Sequence, residues 1–176
     1  ATGDQWDNTP EGRTHYTSNY GTLELRRALA EHLDRLYGVT YDPATEILVT
    51  VGAQQAFHLL AEALFDPRTR VGFEEPGYPH ARNSFALREP RWVAVPVDGE
   101  GAATDTLPAV DYLFVTPSHQ SPTTVTLSLE RRQRLLRRAE SEDFVVIEDD
   151  YEAENLHEGT PMPALKAMPL PAAPSR

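Results

Sequence analysis

The chain alternates between two hydrophobic periods. Leu25, Leu29, Leu33 and Leu36 recur at helical spacing with Arg26, Arg27, Glu31 and Asp34 between them. This predicts a helix over 22–37, stopped at Gly38. EILVTVG at 46–52 is a β-branched apolar run ending on a glycine, and AQQAFHLLAEALF follows at helical period. That sequence predicts strand, turn, helix. The alternation then repeats. RVGFEE at 70–75, RWVAVPV at 91–97, DYLFVTP at 111–117 and FVVIEDD at 144–150 predict strands. YPHARNSFAL at 78–87 and SLERRQRLLRRAESED at 128–143 predict helices, the second with Ser128 as N-cap.

Strands alternating with helices imply an α/β fold of three layers, a mostly parallel sheet with helices on both faces. EILVTV and FVVIE are continuous apolar runs, as expected of buried parallel strands. VTVG at 49–52, LFVTP at 113–117 and FVVIE at 144–148 are expected to be neighbouring strands, with Gly52, His119 and Asp149 at one edge. Residues 1–15 carry neither period and read as an arm. Residues 16–166 read as one domain, and 167–176, with Pro169, Pro171 and Pro174, as a disordered or loosely attached tail.

Composition narrows the function. The 176 residues carry a formal net charge of -11 and no cysteine. The charge argues against a nucleic-acid-binding surface, and the cysteine count excludes disulfides, thiolate metal sites and cysteine nucleophiles. The one basic cluster, RRQRLLRRAE at 131–140, reads as a solvated helix face. No apolar run approaches the ~20 residues needed to cross a bilayer. The polar opening residues show no leader pattern, so a cytoplasmic protein is expected.

In open α/β sheets, ligands bind outside the carboxyl ends of the strands. Four segments are expected there. VGAQQA places Gly52 before a helix start, where the amides of Ala53 and Gln54 could hold an anion; a glycine turn before a buried helix explains it equally well. EEPGYPHAR presents Tyr78 after a Pro-Gly turn, either as a stacking surface for a planar ligand or as a packed turn tyrosine. TPSHQSPT carries His119 and Gln120 in a loop stiffened by proline. VVIEDDYEAE runs an apolar strand into acids and a tyrosine. A carboxylate buried there needs a cation, and a protonated ring nitrogen would serve. A metal is the competing reading, but no His-X-His or second acidic cluster accompanies it. There is no G-x-G-x-x-G, Walker or G-x-S-x-G motif.

Taken in order, these segments resemble the aminotransferase-like domain of the MocR-type family, within the fold-type I pyridoxal-phosphate enzymes. The resembling stretches are Y-x4-G-x3-LR at 16–26, VTVGAQQAFHLLAEAL, EEPGYPHAR, VPVDGEG, TPSHQSPTTVTLSLERR, IEDDYEAE and LHEGTPMPALKAM. They span nearly all of 16–168. The resemblance implies pyridoxal 5′-phosphate as cofactor and an amino acid or amine as substrate. It implies that Asp149 pairs with the pyridine nitrogen and keeps it protonated, so that the ring can accept electrons. It places Tyr151 on the ring 3′-oxygen, Tyr78 on the ring face, Ala53 and Gln54 on the phosphate, and His119 near the ring. Tyr16 would reach the phosphate of a partner subunit, which implies a homo-oligomer.

The chain departs from the family pattern in two places. Ser121 and Thr124 stand where the family loop has an aromatic and a glycine. The only lysine, Lys166, matches the ordinary lysine of the family's PALKAL stretch rather than the Schiff-base lysine, so no catalytic residue is assigned. The expectation is a truncated aminotransferase-like domain, inactive alone, that binds the cofactor weakly or non-covalently and self-associates through uncovered apolar edges. The alternative is a non-catalytic cofactor-binding or dimerisation remnant of a MocR-type regulator.

Overall fold

The computed structural model describes residues 18–151 and 163–169. The chain divides into two compact units, residues 1–55 and 56–176.

In the first unit, helix α1 (Leu23–Tyr37) forms as the periodicity predicts. The Thr22 hydroxyl accepts from the Leu25 amide at 3.3 Å. Gly38 ends the helix in the left-handed region, φ 66°, its amide donating to the Asp34 carbonyl. The buried residue of the helix is not one of the leucines but Arg26, while Leu25 and Leu36 are exposed. The Arg26 guanidinium donates to the carbonyls of Gly21 and Ala44 at 3.2 and 3.0 Å, and to that of Pro43. Gly21, at φ 89°, meets Val49 so closely that a Cβ there would lie 2.8 Å from the valine side chain.

EILVTVG does not form the predicted strand. Its Val49 amide donates to the Tyr20 carbonyl, but the Val51 amide is taken by the Gln55 side chain at 2.8 Å. Val51 is 95% exposed and Leu48 48%. A strand needs a ladder partner for its backbone, and β propensity cannot supply one.

Helix α2 (Ala53–Leu64) leads into the second unit, which holds β1 (Arg70–Glu75), α3 (Pro79–Ala86), β2 (Arg91–Asp98), β3 (Gly101–Ala102), β4 (Tyr112–Val115), α4 (Leu129–Glu142) and β5 (Val145–Glu148). The five strands lie in the order β3-β2-β1-β4-β5, parallel except for the short β2–β3 hairpin. β4 and β5 are neighbours as expected, but β1, not 49–52, flanks β4 on the other side.

Side-chain alternation gives the sheet two cores. Val71, Phe73 and Phe114 pack with Phe57, Ala61, Phe65, Ala81 and Phe85 of α2, α3 and the segment between α2 and β1. Leu113 and Val115 pack on the other face with Leu135 of α4, Leu107, Val110, Leu127, Phe144 and Leu165. These are the two helix-covered faces the sequence implies.

The arginine-rich helix is not a solvated face. Arg131 and Arg132 of α4 are buried. Arg132 donates from Nε to the Leu127 carbonyl, from Nη1 to Pro163 and from Nη2 to Pro117, at 2.9, 2.9 and 2.7 Å. It stands one turn before Leu135, on the inward face, and bonds to fixed carbonyls replace its water. Residues 163–169 pack on the domain. Leu165–Ala167 forms a single 3-10 turn, Leu165 is buried, and Met168 packs against the core. The remainder of the predicted tail, and the predicted arm, lie outside the described residues.

Candidate functional site at the strand edge

Three parallel strands of the second unit end side by side. Phe73 pairs with Phe114 and Phe114 with Ile147; Val115 pairs with Glu148. One residue further, the Asp149 amide still donates to the Val115 carbonyl at 3.0 Å. The turns after β1, β4 and β5 therefore leave the sheet at one edge. They carry Tyr78, His119, and Asp149 with Tyr151.

The β1 turn is tight. A Cβ on Gly77 would collide with the Glu74 carbonyl oxygen and stand 2.7 Å from the Phe73 ring. Tyr78 follows as the N-cap of α3, with Pro79 in the first turn. Its half-buried ring lies edge-on to Phe57, centroids 6.3 Å apart, and to His80 at 5.5 Å.

The β4 loop folds back on itself. The Gln120 amide donates to the Val125 carbonyl at 3.0 Å and the Thr124 amide to the Gln120 carbonyl at 2.6 Å. Thr124 has φ 64°. This is where the sequence departs from the glycine of the family pattern: the left-handed turn is kept although a β-branched residue occupies it. His119 lies edge-on to Tyr151, ring centroids 6.2 Å apart.

Asp149 has the most perturbed carboxyl of this edge. Burial, and then the neighbouring Asp150 charge, push it from 3.8 up to about 6. Glu148 is raised as well, by burial first, while the Leu165 amide donating to it at 2.8 Å acts in the opposite direction. Among the described residues no group of three or more His, Asp or Glu side chains could hold a metal ion.

The predicted site residues divide accordingly. Tyr78, His119, Asp149 and Tyr151 share this edge. Ala53 and Gln54 open helix α2 in the first unit, after Gly52 at φ 148°. Tyr16 lies outside the described residues. Lys166 is exposed on the 3-10 turn after 163.

Sequence reading overlooked Glu74. It is 2% exposed at the end of β1, and its Oε2 accepts from the Thr116 amide, the Thr116 hydroxyl and the Gln120 side-chain amide at 3.2, 2.7 and 3.2 Å. The signal was an acid at an inward position of an apolar strand.

Comparison with known proteins agrees with this architecture. The sequence profile of the family described as aminotransferase class I and II matches residues 5–153, and the chain belongs to that family. Its relatives are of two kinds. The HTH-type pyridoxine biosynthesis transcriptional regulator PdxR of Corynebacterium glutamicum is 36% identical over 154 residues, 87% of this chain and 34% of the regulator. Aromatic-amino-acid aminotransferase 1 of Thermococcus litoralis is 32% identical over 163 residues, 86% of this chain and 39% of the enzyme. Among solved structures, the kynurenine aminotransferase of Pyrococcus horikoshii, determined with PMP, superposes with a TM-score of 0.84 at 30% identity, over 91% of this chain and 42% of that one. The chain thus spans 34% to 42% of the length of these three proteins. No helix among the described residues is long and apolar enough to cross a membrane.

Proposed function

We propose that this chain is the cofactor-facing part of an aminotransferase-type domain and that it engages pyridoxal 5′-phosphate without a covalent link. The observation that supports this most is the environment of Asp149. Its carboxyl is desolvated, sits beside a second acid, and is lifted to about 6. A protonated pyridine nitrogen supplies the counter-charge this setting calls for, and a charge-assisted bond there contributes ~1.5–3 kcal/mol. Tyr151 bonds the ring 3′-oxygen, Tyr78 offers its ring face, and His119 stands beside Tyr151. The Ala53 and Gln54 amides hold the phosphate at a helix start, and Tyr16 serves the partner subunit of a homo-oligomer. The bound cofactor acts as an electron sink for an amino-acid or amine substrate. Lys166, the only lysine in the chain, is not assigned a catalytic role.

A regulatory role for the same binding site is the second reading. The identity to PdxR favours it, since a sensor needs binding without turnover.

Absorbance and tyrosine-fluorescence titration with pyridoxal 5′-phosphate tests the proposal. Weak saturable binding is expected, with no turnover by the chain alone, and Asp149→Asn weakens it about tenfold or more. A stoichiometric borohydride-stable adduct with aminotransferase turnover would overturn the non-covalent reading. Absence of saturable binding would overturn the site itself. Light scattering tests self-association, which half-exposed Val145 on the edge strand β5 favours.

A further inference from the structure

The buried polar cluster beneath the strand edge joins the turn that carries Tyr78 to the loop that carries His119. Glu74 is the penultimate residue of β1, Thr116 follows β4, and Gln120 sits one residue after His119. Thr116 and Gln120 are each 1% exposed. The orientation of the Gln120 amide is fixed by its surroundings. Nε2 faces three acceptors, Glu74 Oε2, the Pro76 carbonyl and the Ser121 carbonyl, at 3.2, 2.9 and 2.8 Å. Oε1 faces two donors, the Thr123 amide and hydroxyl, at 3.0 and 2.6 Å. Reversing the amide would set oxygen against three oxygens. The Thr116 hydroxyl completes the cluster: it donates to Glu74 and accepts from the Ser121 amide at 3.2 Å.

We propose that Glu74 is a positioning residue, which, through Thr116 and Gln120, latches the His119 loop to the Tyr78 turn and so sets the spacing of those two rings across the strand edge. The role toward the cofactor rests on the function proposed above; the latch itself does not. Geometry distinguishes this from ordinary core packing. The bonds run from the end of one strand to the loop of the next, and none of them supports the sheet ladder. The Pro76 carbonyl lies two residues before Tyr78, and Gln120 neighbours His119, so each end of the latch is adjacent in sequence to a site ring. The carboxylate costs desolvation, which raises its proton affinity, while the Thr116 and Gln120 bonds act the other way.

The test uses the intact chain with two variants of one position. Thr116→Val keeps the shape and removes the hydroxyl; Thr116→Ser restores it. Amide hydrogen exchange over 117–125 is read alongside the affinity for pyridoxal 5′-phosphate. The valine variant is expected to speed exchange in that loop while the β1, β2 and β4 amides stay protected. It should also weaken the cofactor about tenfold, in line with one charge-assisted bond, and serine should restore both. Gln120→Ala gives an independent second cut. Unchanged loop exchange in the valine variant, or exchange raised equally across the sheet, would overturn the latch. Loop exchange that responds in a protein that binds no pyridoxal 5′-phosphate would sustain the latch and overturn only the functional reading.

Discussion

One face of the sheet packs Phe57, Phe65, Phe73, Phe85 and Phe114 edge to face and stacked, with ring centroids 5.0 to 6.4 Å apart. The other face packs Val95, Leu113, Val115, Leu127 and Leu135, and borders the buried side chains of Arg131, Arg132 and Glu74. The aromatic face buries area and asks for no partner atoms. The aliphatic face is pinned by guanidinium groups, each of whose bonds depends on a particular carbonyl or carboxylate: Asp98 and the Gly101 carbonyl for Arg131, and three main-chain carbonyls for Arg132. The first face should therefore tolerate changes of shape that keep volume, and the second should not tolerate changes of chemistry that keep volume.

The largest effect is expected on the aromatic face. Phe114→Ala should cost about 3–5 kcal/mol in urea denaturation, whereas Phe114→Leu should cost well under half of that. Equal costs would show that ring geometry, not buried volume, governs that face.

Next in size is Arg132→Met, which keeps length but removes the guanidinium donor from the carbonyls of Leu127, Pro117 and Pro163, leaving Pro117 with the Leu127 amide alone. A loss of about 3 kcal/mol is expected, and Arg132→Lys should recover little of it, because one ammonium cannot serve three separated acceptors. Full recovery with lysine would mean that charge alone matters there.

The pH dependence has two opposed parts. Asp149 has a folded value of about 6 against an ordinary 3.8. The folded chain therefore keeps a proton that the unfolded chain has released, and stability is lost as pH rises from about 4 to 6. Asp149→Asn should remove that loss, measured as thermal midpoints at pH 4.5 and 7. Asp98 and Asp111 behave the other way. Hydrogen bonds from Arg131 and Arg70 hold them below the usual range, so their contribution disappears as pH falls through their folded values.

The smallest expected change is a gain. Thr124→Gly relieves a left-handed β-branched residue and should stabilise by about 1 kcal/mol, offset in part by the greater freedom of glycine when unfolded. A neutral result would mean that the added freedom of glycine in the unfolded chain cancels the relieved strain.

Periodicity alone placed α1, α2, α3 and α4 and all the longer parallel strands, because each carries its hydrophobic signal within its own residues. It failed at 46–52, where apolar and β-branched content is high but strand formation depends on a neighbour that no local pattern encodes. It also misjudged Arg132, since a run of arginines looks solvated until the carbonyls that receive them are known. The gathering of Tyr78, His119, Asp149 and Tyr151 at one sheet edge was legible because each lies in the turn after a parallel strand. Glu74, Thr116 and Gln120 were not singled out as a cluster, because their meaning lies in bonds between residues 42 and 46 positions apart.

Arg132 also bears on the order of events during synthesis. Two of its carbonyl acceptors, at 117 and 127, leave the ribosome before it, but Pro163 follows 31 residues later. The pairing of β1 with β2 and β4 requires nothing beyond residue 115. A nascent chain arrested shortly after α4 therefore holds a guanidinium N–H whose Pro163 acceptor has not yet been made. Tethered chains released just before and just after residue 163 should differ in protease resistance around α4, as that return segment fastens the helix during vectorial folding.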